Sequence, residues 1–136
     1  MFDDKVTARD LDTAARTIWG EARGEDQEGR IAVAHVLLNR VRKGGWWGDT
    51  LNDVCRTKWQ FSCWNEDDPN LWKIENVQYH NPDLQACLAA LLVAMQSDDT
   101  TNGACHYHTK AVAPDWADTA DSSMEIGNHI FLTGVK

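Results

Sequence analysis

The sequence predicts a single α+β domain that is mainly helical and carries a small antiparallel β-sheet. Apolar residues recur at three- and four-residue intervals in three long segments, which is typical of amphipathic helices. The last quarter of the chain instead has short apolar runs between turn residues. A length of 136 residues suits one domain with one continuous core. We therefore expect residues 1–136 to form one domain.

The first two helices are predicted from their start signals and their apolar stripes. Thr7 can cap the first helix, with Asp10 in capping-box position, and the helix should stop around Glu21 to Arg23. Gly24 then suits the left-handed residue just past the helix end. The second helix should run from about Asp26 to Arg42 and is apolar nearly all round, so we expect it at the centre of the core.

The third helix and the sheet follow a long segment without periodicity. Residues 43–80 contain glycines and five of the seven tryptophans, and they predict a long shaped loop region, which in compact domains is usually functional. Asn81 as cap and Pro82 at the first helical position mark the start of the third helix. Strands are predicted at His106 to Val112 and at Ile130 to Leu132.

Composition and charge narrow the classes of function. A formal net charge of -8 has the wrong sign for a protein that neutralises phosphates, so nucleic acid is not expected as a partner. No apolar run approaches the length of a transmembrane segment, and the N-terminus lacks the order of a secretory signal, so we expect synthesis in the cytoplasm without a signal peptide. The four cysteines form no CxxC pair and are expected to be reduced, with a Cys55–Cys63 bridge as the exception to check.

Several motifs occur together in one order along the chain. Residues 15–25 read ARTIWGEARGE, residues 28–41 read EGRIAVAHVLLNRV, and residues 59–65 read WQFSCWN. Residues 104–109 read ACHYHT, residues 114–117 read PDWA, and residues 126–131 read IGNHIF. In this combination the chain resembles the catalytic domain of the SleB-type cell wall hydrolases, a family that includes spore cortex-lytic enzymes and small phage endolysins. The resemblance covers nearly the whole chain.

The resemblance implies a lysozyme-like fold, with residues 1–136 as the catalytic domain and glycan strands of peptidoglycan as the substrate. It implies that Glu21 is the catalytic residue, and it leaves lytic transglycosylase and muramidase outcomes both open. Spore-type members usually add a peptidoglycan-binding domain and an export signal, so we expect a phage or prophage endolysin. Such a protein is expected to be a monomer that reaches the cell wall or periplasm after release through a separate membrane-permeabilising protein.

Cleavage of a glycosidic bond requires a carboxylic acid that stays protonated near neutral pH. At a helix C-terminus Glu21 would feel the partial negative charge of the last carbonyls, and the neighbouring Trp19 could desolvate it; both effects raise its pKa. Glu25 is a second candidate catalytic residue, at a spacing that fits a retaining glycosidase if the helix continues. Otherwise Glu25 supports the site, caps the next helix or pairs with Arg23.

Aromatic residues offer flat faces for sugar rings, and we expect a cleft between the end of the first helix, the tryptophan-rich loop and the segment from His106 to Trp116. About half of the loop aromatics should be structural instead. The loop aromatics are Trp46, Trp47, Trp59, Phe61, Trp64 and Trp72. The predicted substrate-binding residues are Trp59, Gln60, Phe61, Ser62, Trp64, Tyr107, His108 and Trp116.

Two other functions remain open at this stage. His106 and His108 alternate on one face of a predicted strand, as zinc ligands of a peptidoglycan amidase or peptidase could, with Asp115 as a third ligand. No familiar zinc-hydrolase spacing accompanies them, so we predict no metal and no cofactor. The abundance of tryptophan also fits a sugar-binding module without catalytic activity.

Overall fold

The computed structural model describes residues 5–57 and 60–136, and in this part of the chain it contains five α-helices and one three-stranded antiparallel sheet. The helices are α1 (Ala8–Ala22), α2 (Gln27–Lys43), α3 (Leu51–Arg56), α4 (Leu71–Asn76) and α5 (Pro82–Gln96). The strands are β1 (His106–Thr109), β2 (Ser122–Ile126) and β3 (His129–Thr133). The predicted α+β class is confirmed.

The predicted helix starts are confirmed by their capping bonds. The Thr7 hydroxyl accepts a hydrogen bond from the Asp10 amide at 3.1 Å, while the Thr7 amide donates to the Asp10 carboxylate at 2.9 Å. At α2 and α5 the side chains of Asp26 and Asn81 accept hydrogen bonds from amides of the first turn, without the reciprocal bond seen at α1. The prediction for Gly24 is wrong, because this glycine is not among the residues with positive φ.

The end of α1 explains the difference at Gly24. Arg23 keeps right-handed helical angles, and the Glu25 amide donates to the Ala22 carbonyl at 3.0 Å, so the helix tapers into a tight turn. The turn leads directly into α2, with Asp26 as its cap. Glu21 therefore lies in the last turn of α1.

The core is built around α2, which packs against α1 and α5. Its residues from Ala32 to Leu38 are buried, including the side chain of His35. The predicted central position of α2 is therefore confirmed. Burial of this continuous apolar surface is the main favourable contribution to folding.

The segment 43–80 is more ordered than predicted. Besides α3 and α4, it contains short 3₁₀ turns at Gly45–Trp47 and Ser62–Trp64. These pieces are three to six residues long, too short for an apolar period to appear in the sequence. The prediction of one long loop is thus wrong for much of the segment.

The sheet has the order β1-β3-β2, so the last strand lies between the other two. β1 ends at Thr109, earlier than predicted, and β3 is longer than predicted. Strand β2 was not predicted, because its first four residues are exposed and show no apolar alternation. Gly127 begins the tight turn between β2 and β3 with a φ of 59°, a conformation that favours glycine.

All four cysteines, Cys55, Cys63, Cys87 and Cys105, are buried and free. This agrees with the expected reduced state. Among the described residues, no helix combines the length and the hydropathy that crossing a lipid bilayer would require.

Candidate active site

A groove of about 340 Å³ lies where the end of α1 meets β1 and β3. The groove brings together five residues predicted from the sequence, Glu21, Gln60, Phe61, Tyr107 and His108, and it adds Arg40 and His129. The remaining lining residues are Gly20, Thr109 and Val112. Among the described lining residues, Glu21 carries the only carboxyl group.

The Glu21 side chain is half-buried, and its carboxyl is held by Tyr107 of β1. The Tyr107 hydroxyl donates a hydrogen bond to Glu21 Oε1 at 2.5 Å. Burial raises the pKa of Glu21, and contacts with Tyr107 and Cys63 and the charges of His129 and Arg40 oppose this effect without cancelling it. The pKa of Glu21 is raised, as predicted. Trp19, which was expected to desolvate Glu21, instead packs on Arg23, whose Cζ lies 4.2 Å from the centre of the Trp19 ring.

The sheet register positions Tyr107. It pairs with Phe131 of β3, and their rings stack at a centroid distance of 5.6 Å. The His129 ring meets the Tyr107 ring edge-on at 5.1 Å. Burial and the adjacent Glu21 raise the pKa of the Tyr107 phenol well above its ordinary value. Tyr107 therefore stays neutral and can donate its proton to a hydrogen bond.

Of the positions weighed from the sequence, Glu25 takes the one that supports the site, through contacts with Asn128 and His129. Its carboxylate accepts hydrogen bonds from the Asn128 backbone amide at 2.8 Å and from the Asn128 side chain at 2.9 Å. Glu25 Oε1 also lies 3.3 Å from Nδ1 of the buried His129. It neither pairs with Arg23 nor caps α2, because its carboxylate is bound by Asn128 of the β2–β3 turn and lies against His129.

The pKa of Glu25 reflects these contacts. Burial raises the pKa, but the two Asn128 hydrogen bonds and His129 outweigh burial and lower it. Glu25 is not among the described residues that line the groove. It is thus an ionised carboxylate that holds His129, and His129 in turn packs on Tyr107.

Arg40 was not predicted as a site residue. Its side chain is buried beneath the groove, where Nε donates to the Cys105 carbonyl at 2.8 Å and the guanidinium lies over the Trp47 ring at 4.2 Å. A signal existed in the sequence, since a cation inside the apolar pattern of α2 must find buried partners. His129 carried a weaker signal, because it lies in residues 126–131, one of the motifs on which the family resemblance rests.

The other predicted binding residues are dispersed. Trp64 and Phe61 line a second groove of about 470 Å³, and Phe61 is common to both grooves. Ser62 is exposed and is not among the described residues that line either groove. Trp116 contacts the His108 ring at 5.8 Å, beside the Glu21 groove. Trp59 lies outside the described residues.

The histidines proposed as zinc ligands have other neighbours. The His106 ring lies between Trp47 and Trp116, at 5.2 and 5.5 Å, and His108 Nδ1 is 2.7 Å from the Thr109 carbonyl oxygen. In residues 5–57 and 60–136, no three His, Cys, Asp or Glu side chains are placed to hold a metal ion. This part of the structure offers no support for the zinc-dependent alternative.

Comparisons with known proteins give the site its context. The chain is 31% identical over 123 residues to a spore cortex-lytic enzyme of Oceanobacillus iheyensis and 29% identical to one of Halalkalibacterium halodurans. The alignments cover 90% of this chain but 41% and 34% of those relatives, so the chain spans about two fifths or less of their length.

Two solved structures have the same fold over nearly the whole chain. The catalytic domain of the Bacillus cereus SleB protein superposes with a TM-score of 0.78 at 27% identity, covering 96% of this chain and 94% of that domain. The catalytic domain of the germination-specific lytic transglycosylase SleB from Bacillus anthracis gives 0.77 at 27% identity, covering 97% and 100%. The profile of the Cell Wall Hydrolase family matches residues 24–132, and the chain therefore belongs to this family.

Proposed function

We propose that the chain cleaves the glycan strands of peptidoglycan and that Glu21 is its single catalytic acid and base. One observation carries the proposal: the sole carboxyl among the described groove residues is half-buried, has a raised pKa and accepts a hydrogen bond from Tyr107. Family membership supports the substrate class, and the similarity to the germination-specific lytic transglycosylase SleB from Bacillus anthracis supports a lytic transglycosylase.

In the first step the protonated Glu21 donates its proton to the glycosidic oxygen. Because Tyr107 donates to Oε1, the acidic proton resides on the other carboxyl oxygen. As the C–O bond breaks, Glu21 becomes a carboxylate in a shielded site, where the Tyr107 hydroxyl and the charge of Arg40 stabilise it. The leaving sugar departs with a free hydroxyl group.

In the second step the Glu21 carboxylate acts as a base. It removes a proton from the C6 hydroxyl of the remaining muramic acid residue, whose oxygen attacks C1 and closes a 1,6-anhydro ring. Attack by water at C1 would give plain hydrolysis instead. A retaining mechanism would require a second carboxylate close to the first, and Glu25 is already bound by Asn128 and His129. We therefore favour the transglycosylase outcome.

The test combines one substitution with mass spectrometry of digested cell walls. Glu21→Gln keeps the shape of the side chain but removes the transferable proton, so it should abolish muropeptide release. Glu75→Gln, at an exposed glutamate of α4, is the matched control and should keep full activity. Anhydro ends would support a transglycosylase and reducing ends a muramidase, while freed peptides or inhibition by EDTA would contradict the proposal.

The biological setting stays a prediction. We propose a monomeric phage or prophage endolysin, with residues 1–136 as its catalytic domain, that reaches the wall through a separate membrane-permeabilising protein. The resemblance to a family that includes small phage endolysins supports this setting. Expression in a bacterial host with and without such a permeabilising protein tests it, and lysis that does not depend on permeabilisation would argue against it.

A further inference from the structure

Four aromatic rings form a continuous strip that leaves the Glu21 groove beside His108. The rings are Trp46, Trp47, His106 and Trp116, which we name the aromatic strip. Successive ring centroids lie 4.6 Å apart from Trp46 to Trp47, 5.2 Å from Trp47 to His106, and 5.5 Å from His106 to Trp116. His108, which lines the groove, contacts Trp116 at 5.8 Å. The strip therefore extends the wall of the groove.

The strip has buried rings beneath exposed ones. Trp47 is only 9% exposed and lies over the buried Arg40 guanidinium, whereas Trp116 is 37% exposed and Trp46 is 74% exposed. Trp46 sits in a 3₁₀ turn closed by backbone hydrogen bonds from Trp47 to Gly44 and from Gly48 to Gly45. The fold thus presents a large apolar ring to water on an ordered turn, and the backbone of that turn loses little entropy when a ligand covers the ring.

The strip also carries no charge near neutral pH. The pKa of His106 is lowered, first by burial and then by the positive charges of Arg40 and Lys43, so its ring is neutral. Uncharged flat rings suit the apolar C–H faces of a polysaccharide. The net charge of -8 opposes docking on an anionic lipid surface and self-association of this chain.

We propose that the aromatic strip is an additional binding surface for the glycan strand, which holds sugar rings beyond those at the Glu21 groove. This inference rests on the proposed function, because the occupant is the same strand that Glu21 cleaves. Its contribution comes from contacts remote from the reacting bond. Such contacts bind the ground state and the transition state alike, and their loss raises KM while kcat stays nearly constant.

The test compares Trp46→Ala with the wild type on short and long glycan oligosaccharides that lack peptides. We expect KM for long strands to rise about five- to tenfold, as when roughly 50 Å² of apolar ring surface loses its cover. The effect should grow with strand length. Trp46→Phe, which keeps a flat ring, should recover part of the affinity.

Trp72→Ala is the matched control, since Trp72 is 71% exposed but lies on α4 and is not among the described residues that line either groove. An equal rise in KM for Trp72→Ala would overturn the proposal, as would an effect independent of strand length. A change in dimerisation for Trp46→Ala, or binding of the wild type to phosphatidylglycerol vesicles that Trp46→Ala loses, would also overturn it.

A binding measurement separates this inference from the proposed function. Calorimetry measures the affinity of Glu21→Gln for long strands, with and without Trp46→Ala. This measurement of binding does not require the protein to cleave the strand. A fall in affinity of about five- to tenfold supports the aromatic strip whether or not the wild type cleaves glycan. Unchanged affinity would overturn the strip and leave the role of Glu21 untouched.

Discussion

The hydrogen bond from Tyr107 to Glu21 allows a sharp test of the proposed acid. Tyr107→Phe removes the hydroxyl that donates to Glu21 Oε1 at 2.5 Å and leaves the ring that packs on Phe131 and His129. The hydroxyl stabilises the carboxylate form of Glu21 and so lowers its pKa against the effect of burial. Its removal must therefore raise the pKa of Glu21 further.

The size of the effect follows from the type of bond. A hydrogen bond to a charged group contributes about 1.5–3 kcal/mol, so its loss should raise the pKa of Glu21 above that of the wild type. Proton donation requires the protonated acid, so kcat/KM falls as the pH rises through this pKa. In Tyr107→Phe that alkaline limb should move to higher pH. At the wild-type optimum kcat should fall about tenfold or more, because the carboxylate formed on proton transfer is less stabilised.

The assay is the release of soluble muropeptides from purified cell walls, measured as kcat/KM across the pH range. Tyr79→Phe is the matched control, because the Tyr79 hydroxyl also donates to a carboxylate, that of Asp12, at 2.6 Å and outside the groove. Its pH profile should equal that of the wild type. An alkaline limb that stays in place in Tyr107→Phe, or moves to lower pH, would refute the assignment of Glu21 as the titrating acid.

Three further predictions concern stability and reactivity. The pKa of Glu21 is raised in the folded chain, so the wild type loses folding stability as the pH rises above 4.5, the ordinary pKa of this carboxyl. Glu21→Gln should therefore unfold at a higher temperature than the wild type, by a margin that grows from pH 4.5 upward. A margin independent of pH would contradict the desolvation of Glu21. Glu25→Ala should lower the free energy of unfolding in urea by about 1–3 kcal/mol above pH 4.5. This loss should shrink as the pH falls below 4.5, because the pKa of Glu25 is lowered, and an equal loss at every pH would argue against an ionised Glu25. Burial raises the pKa of Cys55 to about 12, so DTNB should modify this thiol only after denaturation, and fast reaction of the native chain would contradict its burial.

Local signals predicted the starts of the three long helices but not the short helices α3 and α4. In the structure α1, α2 and α5 begin after the capping residues Thr7, Asp26 and Asn81, at or next to the positions predicted from the sequence. A cap and an apolar stripe depend on neighbours three or four residues away, so the sequence displays them directly. Strand β2 lacked such a signal because its exposed side chains obey no period.

The candidate site was predicted in part. The motif containing Glu21 and the segment containing Tyr107 were both identified, but their hydrogen bond joins residues 86 positions apart. Glu25 was weighed both as a second catalytic residue and as a residue that supports the site, and its carboxylate holds the β2–β3 turn and His129. No local pattern in the sequence shows a partner on a distant element, so the contacts of Glu21 with Tyr107 and of Glu25 with His129 could not be predicted.

The amino-acid sequence alone determined the mainly helical α+β class, the starts of the three long helices and the acidic residue in the last turn of α1. These follow from composition and from interactions within one or two helical turns. Only the tertiary structure decided that Glu21 is partly shielded from water, that Tyr107 donates a hydrogen bond to it, and that the Glu25 carboxylate lies against His129. The physical reason is that a pKa depends on burial and on charges in space, and chain folding brings these together from α1, α2 and the sheet.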